Sequence, residues 1–133
     1  MADFNAPVAD IRFALEAQAG LSGLAATWGE EAVDGGLVEA LLERVTPRTR
    51  FALLDHVTSP SAIVLPVARM VAELHGMGVD VMIDGAHAPG MLAVDLDAIG
   101  AAWTTGNCHK WLCAPKGSAW LHVRRDRHAQ TRP

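Results

Sequence analysis

Val79-Asp80-Val81-Met82-Ile83-Asp84-Gly85-Ala86-His87-Ala88-Pro89-Gly90 is a short apolar run that ends on a carboxylate and breaks into a turn of small residues. A run of this length bounded by turn signals reads as a strand, Val79 to Asp84, buried on both sides. Just before it, Gly76 and Gly78 close a helix predicted from about Ala62 to His75, with Pro66 in its first turns. Thr58-Ser59-Pro60-Ser61 supplies turn and N-cap chemistry ahead of that helix. Upstream again, Phe51 to Val57 is a second compact apolar strand. Downstream come a short helical piece, Asp95 to Ile99, and two more strands, Ala101 to Thr105 and Ala119 to Val123.

Farther out the pattern continues. Gly35-Gly36 precedes Leu37, Val38, Leu41, Leu42 and Val45, an amphipathic helix that must stop before Pro47. Pro7 to Ala19 fits a helix closed by Gly20, and Leu21 to Trp28 a short buried strand. Strand and helix alternate throughout, which predicts an α/β fold: a mainly parallel sheet with flanking helices. Such sheets gather ligands at the carboxyl ends of their strands. Polar clusters stand at three of those ends: Asp55-His56-Val57-Thr58-Ser59, Asp84-Gly85-Ala86-His87 and Thr104-Thr105-Gly106-Asn107.

The chain has 133 residues, half of them apolar, enough for one domain over residues 1–133 with its own core. A formal net charge of −4 argues against a nucleic-acid or anionic-membrane partner, since both select a basic face. The arginine-rich end, Arg124 to Arg132, reads as a solvated tail. No apolar run approaches the roughly 20 residues that span a bilayer, and Met1-Ala2-Asp3-Phe4 lacks a basic start, so a cytoplasmic location is expected. Cys108 and Cys113 are too close in sequence to build a disulfide framework.

The chemistry concentrates in Gly106-Asn107-Cys108-His109-Lys110-Trp111-Leu112-Cys113-Ala114-Pro115-Lys116-Gly117, which holds the only two lysines of the chain; every other strong cation is an arginine. A lysine can lose its proton and attack a carbonyl, whereas a guanidinium stays charged. Trp111 beside Lys110 would form an apolar wall favouring the neutral amine, while Lys116, between Pro115 and Gly117, reads as a turn or phosphate-side lysine. Asp84 at the end of a buried strand needs either a cationic partner or the backbone of the Gly85-Ala86 turn. A carboxylate and an amine so placed are the two groups that pyridoxal phosphate requires, one for its ring nitrogen and one for its aldehyde. Thr105, Gly106, Asn107 and His109 offer donors suited to a phosphate, or an ordinary polar loop. A metal site drawn from Cys108, His109, Cys113 and His87 matches no paired-ligand spacing and is not expected.

His56-Val57-Thr58-Ser59-Pro60, Val81 to Gly90 and Gly106 to Gly117 together resemble the class V aminotransferase family of pyridoxal-phosphate enzymes, and within it the isopenicillin N epimerase-like group. The likeness extends from Phe4-Asn5-Ala6 to Val123. It implies the aspartate-aminotransferase type of fold, with this chain as the central part of the cofactor-binding large domain and without the small C-terminal domain. It implies that Lys110 forms the Schiff base and moves protons at the substrate's alpha carbon. Asp84 then pairs with the pyridine nitrogen and His87 stands near the ring's phenolic oxygen. Asn107 and His109 fall at phosphate-ligand positions, Asn107 replacing the more frequent serine, and Thr58 and Ser59 match a loop that touches the ring. The resemblance further implies a small amino acid or peptide substrate and a homodimer in full-length members. It favours epimerisation over transamination or desulfuration. A catalytically incompetent interaction module of the same family is the alternative.

Overall fold

The computed structural model describes residues 30–59 and 61–132. The predicted helix Pro7 to Ala19 and strand Leu21 to Trp28 lie outside the described residues. The elements are α1 (Glu30–Leu42), β1 (Phe51–Asp55), α2 (Val67–Gly76), β2 (Asp80–Gly85), α3 (Leu96–Ile99), β3 (Trp103–Asn107) and β4 (Ala119–Val123), then a 3₁₀ turn at Arg125–Arg127. They build a four-stranded mixed sheet in the order β1-β2-β3-β4. β1, β2 and β3 run parallel, so Asp55 stands opposite Asp84 and Asp84 opposite Thr105. β4 returns antiparallel to β3, because the 108–118 connection holds no crossover helix.

One face of the sheet forms the core. Val67, Met70, Val71 and Leu74, spaced for one face of α2, pack with Leu54, Val81 and Ile83 and with Leu37 and Val38 of α1. The opposite face carries Leu53, Met82 and Trp103, which are half-buried, and the exposed Phe51 and Leu121. There the rings of Phe51 and Trp103 meet at 6.0 Å, and the Trp103 indole donates to Thr131 Oγ1 at 2.8 Å.

Three elements differ from the sequence expectation. α1 starts at Glu30 and runs through Gly35-Gly36; two helical glycines cost about 2 kcal/mol in propensity, which the burial of Leu37 and Val38 against α2 offsets. α2 starts at Val67, not Ala62, with Pro66 as its N-cap. Residues 58–65 fold back on the end of β1 instead, through Thr58 N–H to Ile63 carbonyl, Leu65 N–H to His56 carbonyl and a Val57–Val64 bridge. The arginine-rich end is not merely solvated. Arg124 donates to the Gly100 carbonyl at 2.7 Å and pairs with Asp126, holding that carboxyl down to about 2, while Arg127 pairs with Asp80. Among the described residues no helix is long and apolar enough to cross a membrane.

Leu74 is completely buried where α2 meets β2 and α1. Leu74→Ala should cost about 2–5 kcal/mol, measured by chemical denaturation; a loss below about 1 kcal/mol would show that this core does not set the stability.

Candidate active site

The parallel register delivers β1, β2 and β3 to one edge with their carboxyl ends together. His56 extends β1 by donating its backbone N–H to the Asp84 carbonyl at 2.9 Å. Asp84 is half-buried, and its Oδ1 accepts the Ala86 N–H at 2.9 Å. The carboxylate therefore does cap the Gly85-Ala86 turn, and it does so with one oxygen: among the described residues Oδ2 has no partner. Gly85 is required where it stands, since a Cβ there would lie 2.4 Å from the Thr105 carbonyl oxygen. Ala88 N–H to Gly85 carbonyl, then Met91 and Leu92 N–H to Ala88 carbonyl, wind the chain tightly past His87.

β3 opens at Asn107 into the lysine loop, whose backbone closes on itself. Cys108 and Ser118 join across its neck at 3.0 Å, Ala114 N–H reaches the Cys108 carbonyl at 3.0 Å, and Cys113 N–H reaches the Lys110 carbonyl at 3.2 Å. Cys113 adopts a left-handed φ of 54° to make that turn. The loop docks on the His87 turn at Gly90, whose φ is 89° and whose added Cβ would sit 2.8 Å from the Trp111 carbonyl carbon. That docking brings Lys110 Nζ to 3.0 Å from His87 Nε2, and Trp111 Nε1 donates to His87 Nδ1 at 3.4 Å. Trp111 is 54% exposed, so it is no buried apolar wall; its indole N–H acts on His87 instead.

Of the expected site residues, Lys110 and His87 are in contact, and Asp84 joins them through the turn that carries His87. Asn107 ends β3 opposite Ala119. His109 Nδ1 bonds the Ser118 carbonyl at 2.9 Å, so Nδ1 carries a proton there, and donation from Nε2 to an anion would take a second one. Thr58 is buried and its hydroxyl is engaged within its own loop, bonding Ser61 Oγ at 2.6 Å and accepting the Ile63 N–H at 2.8 Å. Ser59, beside it, is exposed. Neither bonds the Lys110–His87 pair.

Two residues take roles that the sequence reading does not assign them. Trp111, expected as an apolar wall, is a hydrogen-bond donor to His87. His56 is 8% exposed at the end of β1, with Nδ1 buried and unpartnered among the described residues. Burial pushes its imidazole below the ordinary 6.5. Its place at a strand end was the available signal.

A family model described as "Aminotransferase class-V" matches residues 18–133. The isopenicillin N epimerase of Amycolatopsis lactamdurans is 40% identical over 97 residues, which are 73% of this chain and 24% of that protein. The putative L-cysteine desulfhydrase 1 of Oryza sativa subsp. japonica is 45% identical over 80 residues, 59% of this chain and 17% of that protein. The chain thus spans about a quarter or less of the length of these curated relatives. Among solved structures, a mutant of C-DES with glycine covalently linked to its PLP cofactor superposes with a TM-score of 0.68 at 26% identity. That superposition covers 72% of this chain and 26% of C-DES.

His56 makes stability depend on pH. Because its folded value is lowered, the unfolded chain takes up the proton first on acidification, so stability is full above the ordinary 6.5 and falls as pH drops below it. Melting temperatures at about pH 7.5 and about pH 5.5 should differ less in His56→Gln than in the wild type; an unchanged difference would refute the assignment.

Proposed function

The chain belongs to the class V aminotransferase family, and from that premise we propose that it is the cofactor-binding part of a pyridoxal-phosphate enzyme acting at the alpha carbon of an amino acid. The observation that carries this reading is the contact of Lys110 Nζ with His87 Nε2 at 3.0 Å, on the strand edge where Asp84 also ends. The residues suit the cofactor. Asp84 keeps one carboxylate oxygen free of partners among the described residues, in a half-buried position where an acceptor for a pyridinium N–H belongs. Bound pyridoxal phosphate supplies an aldehyde that condenses with an amine and a ring that withdraws electrons from the carbon bearing that amine.

Lys110 then contributes the amine and afterwards moves protons at the substrate's alpha carbon. Asp84 holds the proton on the ring nitrogen. With the cofactor bound, His87 would serve the side of the phenolic oxygen, and Asn107 and His109 would serve the phosphate, His109 through the ring nitrogen that the Ser118 carbonyl leaves free. Thr58 orders the loop that presents Ser59. The substrate is a small amino acid or peptide, and epimerisation is the favoured outcome, supported by the epimerase relative. The higher local identity to the rice protein favours a second reading, removal of sulfide from cysteine; release of sulfide from cysteine would decide for it.

The experiment is the addition of pyridoxal phosphate to the purified chain, followed by absorbance, borohydride reduction and peptide mass mapping. The band should appear in the wild type, vanish in Lys110→Ala and map to Lys110 rather than Lys116. Asp84→Asn should retain attachment but weaken cofactor affinity about tenfold, the worth of one charge-assisted bond. A band that survives in Lys110→Ala, or an adduct on Lys116, would overturn the assignment.

A further inference from the structure

We propose that Trp111 is a positioning residue: it sets the ring tautomer of His87 and so makes the Lys110 nitrogen a hydrogen-bond acceptor. A neutral imidazole has one N–H and one lone pair, an indole nitrogen only donates, and an ammonium group only donates. The contact from Trp111 Nε1 requires the lone pair of His87 on Nδ1. The ring proton then sits on Nε2, which faces Lys110 Nζ at 3.0 Å. That second contact closes when the lysine is a free amine accepting through its lone pair, the same lone pair that attacks a carbonyl. The reverse pattern, an ammonium donating to Nε2, places the ring proton on Nδ1 against the indole N–H. An imidazolium sets donors against donors at the indole, and at an ammonium as well. One protonation pattern of the triad satisfies both contacts.

The arrangement is built by backbone as well as by side chains. Gly90 admits the Trp111 carbonyl within a distance no Cβ would allow, and the Cys113 N–H to Lys110 carbonyl bond holds the turn that carries both Lys110 and Trp111. The titratable groups on the two segments that meet here are Asp84 and His87 on one side and Cys108, His109, Lys110, Cys113 and Lys116 on the other. The functional weight of the relay rests on the reading of Lys110 as the amine that takes the cofactor. The relay itself does not.

The test uses the cofactor-free chain. Trace acetic anhydride labels amines in proportion to their unprotonated form, and Lys116 serves as the internal reference for Lys110. The Lys110 to Lys116 labelling ratio, read by peptide mass spectrometry, is compared in wild type, Trp111→Phe and His87→Ala. Near neutral pH it should fall about fivefold in both variants, the factor that one ordinary hydrogen bond is worth, and converge with wild type above about pH 11, where an ordinary lysine is mostly free amine in any case. A ratio unchanged in Trp111→Phe, a loss in only one of the two variants, or a loss by the same factor at every pH would overturn the proposal. The last outcome would mean that Trp111 only shapes the loop. Since no cofactor is present, failure here is separate from failure of the Lys110-dependent band.

Discussion

The parallel pairing of β2 with both β1 and β3 is the constraint on which the rest of the molecule depends. Because Asp55, Asp84 and Thr105 lie in one row across three strands, everything that follows those residues leaves the sheet at the same edge. The row is held by buried residues one step back, where Leu54, Ile83 and the sealed Thr104 face the helices. A slip of one residue would turn that set to the open face and carry Asp84 into the core, where an unpaired carboxylate is costly. Core packing and site geometry are therefore one requirement expressed on alternate residues of the same strands.

Beyond the strand ends, order comes from close backbone approach. Gly85 lets β2 press against the Thr105 carbonyl, Gly106 leaves room for the Trp120 ring, and Gly90 receives the backbone of Trp111. Each is a position where a methyl group would force two segments apart. The functional groups ride on these contacts: Lys110 has no helix or strand of its own, and its distance from His87 is set by how the 108–118 loop docks on the turn after β2. This is why two loops, rather than two rigid elements, hold an amine and an imidazole within hydrogen-bond distance.

Periodicity and punctuation made much of this legible. The apolar runs at Phe51, Val79 and Ala119 and the glycines after His75 marked strands and helix ends to within a few residues, because burial and chain reversal leave strong local signatures. Asp95 N-caps α3 through a 2.9 Å bond to the Ala98 N–H, as a helix starting there requires. Structure departs from local preference where long-range contacts override it. Residues 58–65 had helix-starting chemistry but found partners on β1, and α1 kept its helix through two glycines because its neighbour buried it. Arg124 and Arg127 looked like a solvated end since nothing in their neighbourhood along the chain announces Gly100 or Asp80.

For the site the division is similar. Composition alone isolated Lys110 and Lys116 as the two candidate amines, and strand-end placement nominated Asp84, because residue type and the end of an apolar run are local facts. Which lysine meets a histidine, that Thr58 serves its own loop, that Trp111 donates rather than shields, and that His56 is buried with a nitrogen unpartnered among the described residues are facts of three-dimensional approach. The chain by itself determined the kinds of groups available and the edge they occupy, since both follow from nearest-neighbour chemistry. Only the tertiary structure decided their pairing, since a hydrogen bond depends on ångström distances between segments that no spacing along the chain encodes.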